Sequence, residues 1–365
     1  MDRLERLCAK LHEEPFLHLS LHSKELFHSN FLGWLCEAYP GEMAAELERW
    51  VPCRDGNDTK VLREKDQLDL AVQLPGLAPF IVENKVFAPP DEMQLDRYAA
   101  GNLAGFHDPT LILLSLTDPG WREYHSSPNG PTWHYRSFTD LADLIRAVAD
   151  RLHEGSAPSY QRDLVDHYSE FLRMLTELVG VAGRLKTDDP ISLPSDAAGL
   201  LQEIRLHDGI SKLRARSAIA LVQEAAEGAR NPAVDWEAGF TRGNPLLAAF
   251  VELANGDRLG WQYQAGQWRL AVICGREELV GRTGDQGDAR KKYVQRNYGD
   301  WFDFDPIPEL VDRQVNGVPK LETAGDFNSY KPDFVYRYRR LPDLTTTEIC
   351  KLSNYYLDKA QSWPS

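Results

Sequence analysis

The chain has 365 residues, 42% hydrophobic and 26% charged, which is enough for two domains with ordinary cores. Its formal net charge of −14 sets it apart from proteins that grip nucleic acid by overall basicity, and it contains no run of about 18 apolar residues to span a bilayer. Five scattered cysteines (Cys8, Cys36, Cys53, Cys274, Cys350), never in a CxxC pair, argue against a zinc ribbon or disulfide framework. They predict buried structural thiols in a reducing cytoplasm, and the charged first six residues lack a signal-peptide core.

Residues 1–50 read as helical, with Ser20 or Ser23 a fair N-cap and Phe27, Phe31, Trp34 and Leu35 at helical spacing. Residues 68–74 and 80–86 read as hairpin strands around the reversal Pro75-Gly76-Leu77-Ala78-Pro79. Pro89-Pro90 breaks the chain, and a helix is predicted over 91–103. Residues 111–116 form a buried strand bounded by Asp118-Pro119-Gly120, and 133–137 a further strand. Thr139-Asp140 opens a helix over 141–152, and a long helical pattern covers 159–185. This order predicts an α/β domain with a mixed sheet over residues 1–186. A linker over 187–198 and a C-terminal α+β domain over 199–365 follow. The latter has helix over 198–228, a meander over 246–253, 258–264 and 267–273 with an Asn255-Gly256 turn, a strand over 334–338 and a closing helix over 345–361. No internal repeat is visible.

Leu68-Asp69-Leu70 and Ile81-Val82-Glu83-Asn84-Lys85 place acids inside apolar runs. Side chains alternate along a strand, so Glu83 and Lys85 share a face and Asn84 takes the other. A hairpin symmetric about Gly76 or Leu77 puts Asp69 on the face of Glu83 and Lys85, whereas an even-numbered loop reverses that parity. Two carboxylates on adjacent strands repel unless a cation lies between them. Mg²⁺, with Mn²⁺ as substitute, suits that place because it takes hard oxygen ligands and keeps waters for a substrate phosphate. It would polarise a phosphoryl oxygen and acidify a water, while Lys85 would orient the attacking hydroxide or stabilise charge on the phosphate. The bland alternative is a solvated edge-strand ion pair. Gln94 and Tyr98 share a helical face and can hydrogen-bond a phosphate or base edge; alone, they equally suit a surface glutamine and a core tyrosine. Glu25 lies near the start of the first helix with His22 and Ser29 on its face, where an acid ordinarily complements the helix dipole.

Together, the segment from Glu25 to Leu35, Asp69, Glu83-Asn84-Lys85 and Gln94-Leu95-Asp96-Arg97-Tyr98 resemble the PD-(D/E)XK nuclease superfamily. The last element resembles the Q-x-x-x-Y motif of its RecB-like branch. The resemblance covers roughly residues 15–150, with Leu68 where the motif has proline. It implies a restriction-endonuclease-like core of helix, mixed sheet and flanking helices that cuts phosphodiester bonds with Mg²⁺. It also implies Asp69, Glu83 and the carbonyl of Asn84 as metal ligands and Lys85 as the water-positioning lysine. Glu25 would assist metal or water binding, and Gln94 and Tyr98 would organise the site or contact DNA.

Residues 1–186 hold 19 basic against 29 acidic side chains and the remainder 22 against 26, so the acid excess sits with the cluster. A DNA grip must come from local patches, metal ions or a partner. Arg282, Arg290, Lys291, Lys292 and Arg296, with Tyr293 and Tyr298, form one basic-aromatic stretch. Lys331, Arg337, Arg339 and Arg340, with Tyr330, Tyr336 and Tyr338, form another. Such stretches suit a nucleic-acid surface, although a solvated loop plus a half-exposed strand accounts for them equally. The expectation is a cytoplasmic Mg²⁺-dependent nuclease acting on DNA, by resemblance an endonuclease of bacterial defence or restriction. It has no membrane partner, and its C-terminal domain would serve substrate binding, sensing, or contact with a protein partner or second copy. The rivals are a catalytically silent nuclease-fold module that binds nucleic acid or protein, and a nuclease acting on RNA.

Overall fold

A computed structural model describes residues 2–21, 24–88, 92–101, 103–119, 124–126, 131–186, 188–225, 234–241, 244–281, 284–311, 323–330 and 332–364. The chain divides into two units, Met1–Ala182 with Ser195–Ile210, and Gly183–Pro194 with Ser211–Ser365. Each has a six-stranded sheet, one mixed and one antiparallel. Among the described residues no helix is long and apolar enough to cross a membrane. His22, Ser23, Pro89, Pro90, Gly120, Arg282 and Lys331 lie outside the described residues.

In the first unit, α1 (Asp2–Glu13), α2 (Pro15–Ser20), α3 (Lys24–Ala38) and α4 (Pro40–Leu47) precede β1 (Lys60–Lys65), β2 (Leu68–Gln73) and β3 (Phe80–Lys85). Then come α5 (Glu92–Ala99), β4 (Thr110–Ser115), β5 (Tyr124–Ser126), β6 (Thr132–Ser137), α6 (Phe138–Glu154) and α7 (Ser159–Leu178), with α8 (Ser195–Glu203) joining later. The sheet order is β1-β2-β3-β4-β6-β5. The first three strands pair antiparallel, β3, β4 and β6 run parallel, and β5 returns antiparallel. One sheet face packs Leu70, Val82 and Ile112 against α3, α4 and α6. The other packs Ala71, Ile81 and Leu113 against Leu95 and Ala99 of α5. Strands covered on both faces read as near-continuous apolar runs, and a charged residue in one of them, Glu83, is only 2% exposed.

Local signals set the ends of these elements. Ser137 and Asp140 form a capping box at the start of α6. Ser20 does not cap α3; it ends α2 and its hydroxyl donates to the Leu17 carbonyl. Phe16, Phe31, Tyr168 and Phe171 pack ring against ring, with Phe31 stacked on Tyr168 at 3.8 Å. Beside them the His28 Nδ1 and Tyr168 hydroxyl share a hydrogen bond of 2.8 Å. Burial lowers the His28 pKa to about 3, so the ring stays neutral. This aromatic block fixes α3 on α7, and α3 carries Glu25. Cys8, Cys36 and Cys274 are buried free thiols, but Cys53 is exposed and corrects the expectation of burial for all five. It sits in the segment before β1, bridged to Leu77.

The second unit contains most of α9 (His207–Ala225), then β7 (Val234–Thr241), β8 (Asn244–Glu252), β9 (Arg258–Gln264) and β10 (Gln267–Ile273). It continues with α10 (Gly284–Tyr298), α11 (Ile307–Leu310), β11 (Asn328–Tyr330), β12 (Phe334–Arg340) and α12 (Thr346–Gln361). Its order is β11-β12-β10-β9-β8-β7. The expected meander forms, and Gly256 at φ +81° supplies the positive φ of its first turn. Trp261, Trp268 and Val335 on one face pack with Val294 of α10 and Leu352 and Tyr356 of α12.

Two expectations need correction here. The 187–198 segment is no free tether. Ile191 is buried, Pro190 bridges Thr345, and Arg214 donates to the Ile191 carbonyl at 3.0 Å. Ser195 then begins α8, which packs on α1. The helix expected over 198–228 is two helices, broken where Arg205 takes φ +55°.

The stretch read as a basic loop is α10, and its key side chains turn inward. Asp257 is fully buried and accepts hydrogen bonds from the Tyr293 hydroxyl at 2.6 Å, the Tyr298 hydroxyl at 2.5 Å and the Gly275 N–H at 2.8 Å. Arg290 is 3% exposed and donates from Nη1 to the carbonyls of Leu279 at 2.8 Å, Gly281 at 3.0 Å and Pro332. A charged donor shared among three main-chain acceptors ties α10 to two loops. Arg290→Ala is therefore expected to lower the unfolding free energy by roughly 3 kcal/mol in urea titrations. A loss below about 0.5 kcal/mol would place Arg290 among ordinary surface residues.

Candidate active site

The register of β2 on β3 decides the parity that the sequence left open. Leu70 pairs with Val82 and Val72 with Phe80, a hairpin centred on Gly76, so continuing the register sets Asp69 opposite Glu83. Gly76 takes φ +77°, and its N–H and carbonyl are held by the Gly56 carbonyl and the Arg54 N–H. Asp69, Glu83 and Lys85 thus share the face that α5 covers. Asn84 faces α3, where its Nδ2 donates to the Glu25 carbonyl at 3.0 Å.

The polar contacts link all the expected residues except the Glu25 carboxylate. Asp69 Oδ2 accepts the Asn84 N–H at 2.7 Å, replacing a strand acceptor where the ladder ends. Glu83 Oε1 accepts from Lys85 Nζ at 2.8 Å and from Gln94 Nε2 at 3.3 Å. The same Gln94 amide donates to the Tyr98 hydroxyl at 2.6 Å. Glu83 Oε2 is buried with no hydrogen-bond partner among the described residues. Glu25 enters through its carbonyl, which also accepts from Ser29 Oγ at 3.0 Å. Its side chain is half-buried, and its charge acts on Asp69, Glu83 and Lys85.

Burial dominates the electrostatics. It raises the Glu83 pKa from 4.5 to about 7, helped by the charge of Asp69 and opposed by Lys85. Asp69 is also raised, chiefly by burial, although the Asn84 N–H and Lys85 favour its ionised form. For Lys85, burial is the largest single influence and pulls downward. Glu83, Asp69 and Glu25 together outweigh it, and the net shift is upward. Glu83 releases its proton near 4.5 when unfolded and near 7 when folded. Its contribution to stability is therefore full below 4.5 and is lost as pH rises through that window.

These residues fit a hard divalent cation in their donor chemistry. The Lys85 carbonyl accepts from the Leu116 N–H on the β4 side, so by strand alternation the Asn84 carbonyl faces the β2 edge, as its N–H does. Asp69, the orphaned Glu83 Oε2 and the Asn84 carbonyl are then the available oxygens. Among the described residues no three His, Cys, Asp or Glu side chains gather closely enough to hold a metal ion. The Glu25 carboxylate accordingly does not complete a ligand set with Asp69 and Glu83.

Two neighbours escaped the sequence reading. Ser115 lies beside Lys85 in the parallel register, fully buried, and its Oγ accepts the Thr117 N–H at 3.2 Å. Their only sequence signal was a hydroxyl pair at the end of an apolar strand. Among the described residues of the two basic-aromatic stretches, several side chains turn inward and form no basic surface. Arg337 and Arg339 alternate with Tyr336 and Tyr338, so they take opposite faces of β12. Arg337 is 9% exposed and Arg339 stacks over Phe304. With Arg290 internal and Lys291 half-buried, Lys292 and Arg296 are the basic residues of that stretch left exposed on α10.

Cation binding through Glu83 must displace its proton. At about pH 6, Mg²⁺ binding is expected to release close to one proton, and at about pH 8.5 almost none. Calorimetry in two buffers of different ionisation enthalpy measures that count. A value near zero at both pH values removes Glu83 from the ligand set.

No family model matches this chain, and neither a curated protein nor a solved structure matches it.

Proposed function

We propose that the first unit is a Mg²⁺-dependent phosphodiesterase that hydrolyses DNA. The observation that carries this reading is the Glu83 carboxylate, 2% exposed and raised to about 7, with one oxygen orphaned and the other held by Lys85 and Gln94. A buried acid so placed costs the fold stability, and acids perturbed in this way cluster at functional sites. The bound cation would act as a Lewis acid on a phosphoryl oxygen and acidify a water. Asp69 and Glu83 would hold it, each already oriented by a hydrogen bond. Lys85 keeps an ammonium group on the same face, where negative charge builds during phosphoryl attack. Gln94 fixes Glu83 and is itself positioned by Tyr98.

The cellular setting we infer, defence or restriction in the bacterial cytoplasm, rests on the motif resemblance and on the free thiols. One observation favours the silent-module rival: Lys85 and Gln94 both occupy Glu83 Oε1, and among the described residues no third carboxylate closes the site.

The test is cleavage of plasmid and single-stranded DNA, and of RNA, with Mg²⁺ or Mn²⁺. Asp69→Asn, Glu83→Gln and Lys85→Met are each expected to lower the rate by about a hundredfold or more, with circular dichroism unchanged. Full activity in Glu83→Gln and Lys85→Met would overturn the assignment. Inactive wild-type protein with no Mg²⁺ binding would favour the rival.

A further inference from the structure

On the α5 side of the first sheet, a cleft of about 240 Å³ lies between the β1–β2 turn and the end of α5. Asp66, Gln67, Leu68, Arg97, Tyr98 and Leu103 line it, together with Gly101. It adjoins the candidate active site through two residues. Leu68 precedes Asp69, and the Tyr98 hydroxyl accepts from the Gln94 amide that also donates to Glu83. Having accepted that bond, the Tyr98 hydroxyl retains its own hydrogen for an acceptor in the cleft.

The lining has a definite chemical character. Arg97 is exposed, and its guanidinium makes no hydrogen bond or ion pair with a described residue. That is notable in a chain with 55 acidic and 41 basic side chains. Asp66 lines the same cleft but pairs with Lys65 at 3.5 Å. The turn residues Asp66 and Gln67 take φ +57° and +69°, a conformation that glycine adopts with less strain. The turn thus keeps a carboxylate and a carboxamide at a backbone cost of roughly 1 kcal/mol each. A guanidinium and a phenol donor suit a phosphate, an amide suits the edge of a heterocycle, and Leu68 and Leu103 supply apolar wall.

We propose that this cleft is a nucleotide subsite, and that the substrate strand is single. It holds the nucleotide next to the phosphodiester presented to Asp69, Glu83 and Lys85, with Arg97 on the phosphate and Gln67 on the base edge. A base paired in a duplex has no free edge to enter a cleft, whereas an unpaired base does. Contacts to the base also give affinity that does not depend on a basic surface, which the acidic first half of the chain lacks. The inference rests on the phosphodiester reading of the neighbouring site.

Binding is measured without divalent metal on the full chain, by fluorescence anisotropy of a labelled 12-nucleotide DNA strand, its RNA counterpart and the DNA duplex. Single strands are expected to bind at least about tenfold more tightly than the duplex. Arg97→Ala should weaken single-strand binding about tenfold and lower its salt slope by about 0.7. Arg97→Lys should recover part of the affinity, and Gln67→Ala should weaken binding to a lesser degree. The DNA and RNA arms show which strand fits. Equal or tighter duplex binding overturns the proposal, as does an affinity within about twofold of wild type in both alanine variants. Because no hydrolysis is needed, strand binding that depends on Arg97 in a protein without cleavage would sink the hydrolase reading alone. Cleavage with an unchanged KM in Arg97→Ala would sink the cleft alone.

Discussion

The arrangement of the first unit depends on confining two acids, Asp69 and Glu83, opposite each other on adjacent strands of a sheet covered on both faces. Raising Glu83 from 4.5 to about 7 corresponds to a penalty of order 3 kcal/mol for its ionised form. That penalty is what remains after Lys85, in contact at 2.8 Å, has offset part of the cost of burial, and Oε2 is left without a partner among the described residues. An apolar residue at position 83 would pack in the same strand without that penalty, since replacing a buried ion pair by well-packed apolar groups is often neutral or stabilising. The acid therefore makes physical sense only where its charge is used, and several neighbouring contacts serve to hold that charge in position.

Those contacts come from three directions. From β2, Asp69 takes the Asn84 N–H that an unbroken ladder would have given to a main-chain carbonyl. From α3, the Glu25 carbonyl accepts the Asn84 amide, so the strand residue between Glu83 and Lys85 is fixed on the opposite face. From α5, Gln94 reaches Glu83 while Tyr98 holds Gln94. The aromatic block around Phe31 and Tyr168 anchors α3, and the 52–56 segment anchors the hairpin turn. Of these supports Gln94 alone touches the Glu83 carboxylate, at Oε1, and Oε2 stays unengaged among the described residues.

Much of this was legible because strand alternation is a strict rule and apolar runs mark covered strands. Once β2 and β3 were recognised, only the turn centre was missing, and Gly76 supplies it. The strand β1, Lys60-Val61-Leu62-Arg63-Glu64-Lys65, stayed hidden because an edge strand carries charge where a central strand carries valine and leucine. The same alternation rule, applied to β12, would have separated Arg337 and Arg339 from the tyrosines between them. Composition alone made them one surface. Arg290 misled for another reason: a basic residue in a polar stretch looks solvated until a fold supplies three carbonyls for its guanidinium. Asp257 lies 36 residues before Tyr293 and 41 before Tyr298, and no local pattern announces a buried carboxylate shared by two phenols.

The acid excess of the first half then takes on a different meaning. Duplex DNA presents a denser line of phosphates than a single strand does, so a protein that neutralises few of them loses more on a duplex. With 29 acids to 19 bases, residues 1–186 give up that source of affinity. What remains is short-range: hydrogen bonds, apolar contact and any cation held between acids. Such forces act within a cleft and over a few atoms, and they select for a substrate whose bases are exposed. On this argument the acidic surface and the buried pair of carboxylates belong together, because both weaken unspecific attraction and leave recognition to the few donors that line the site.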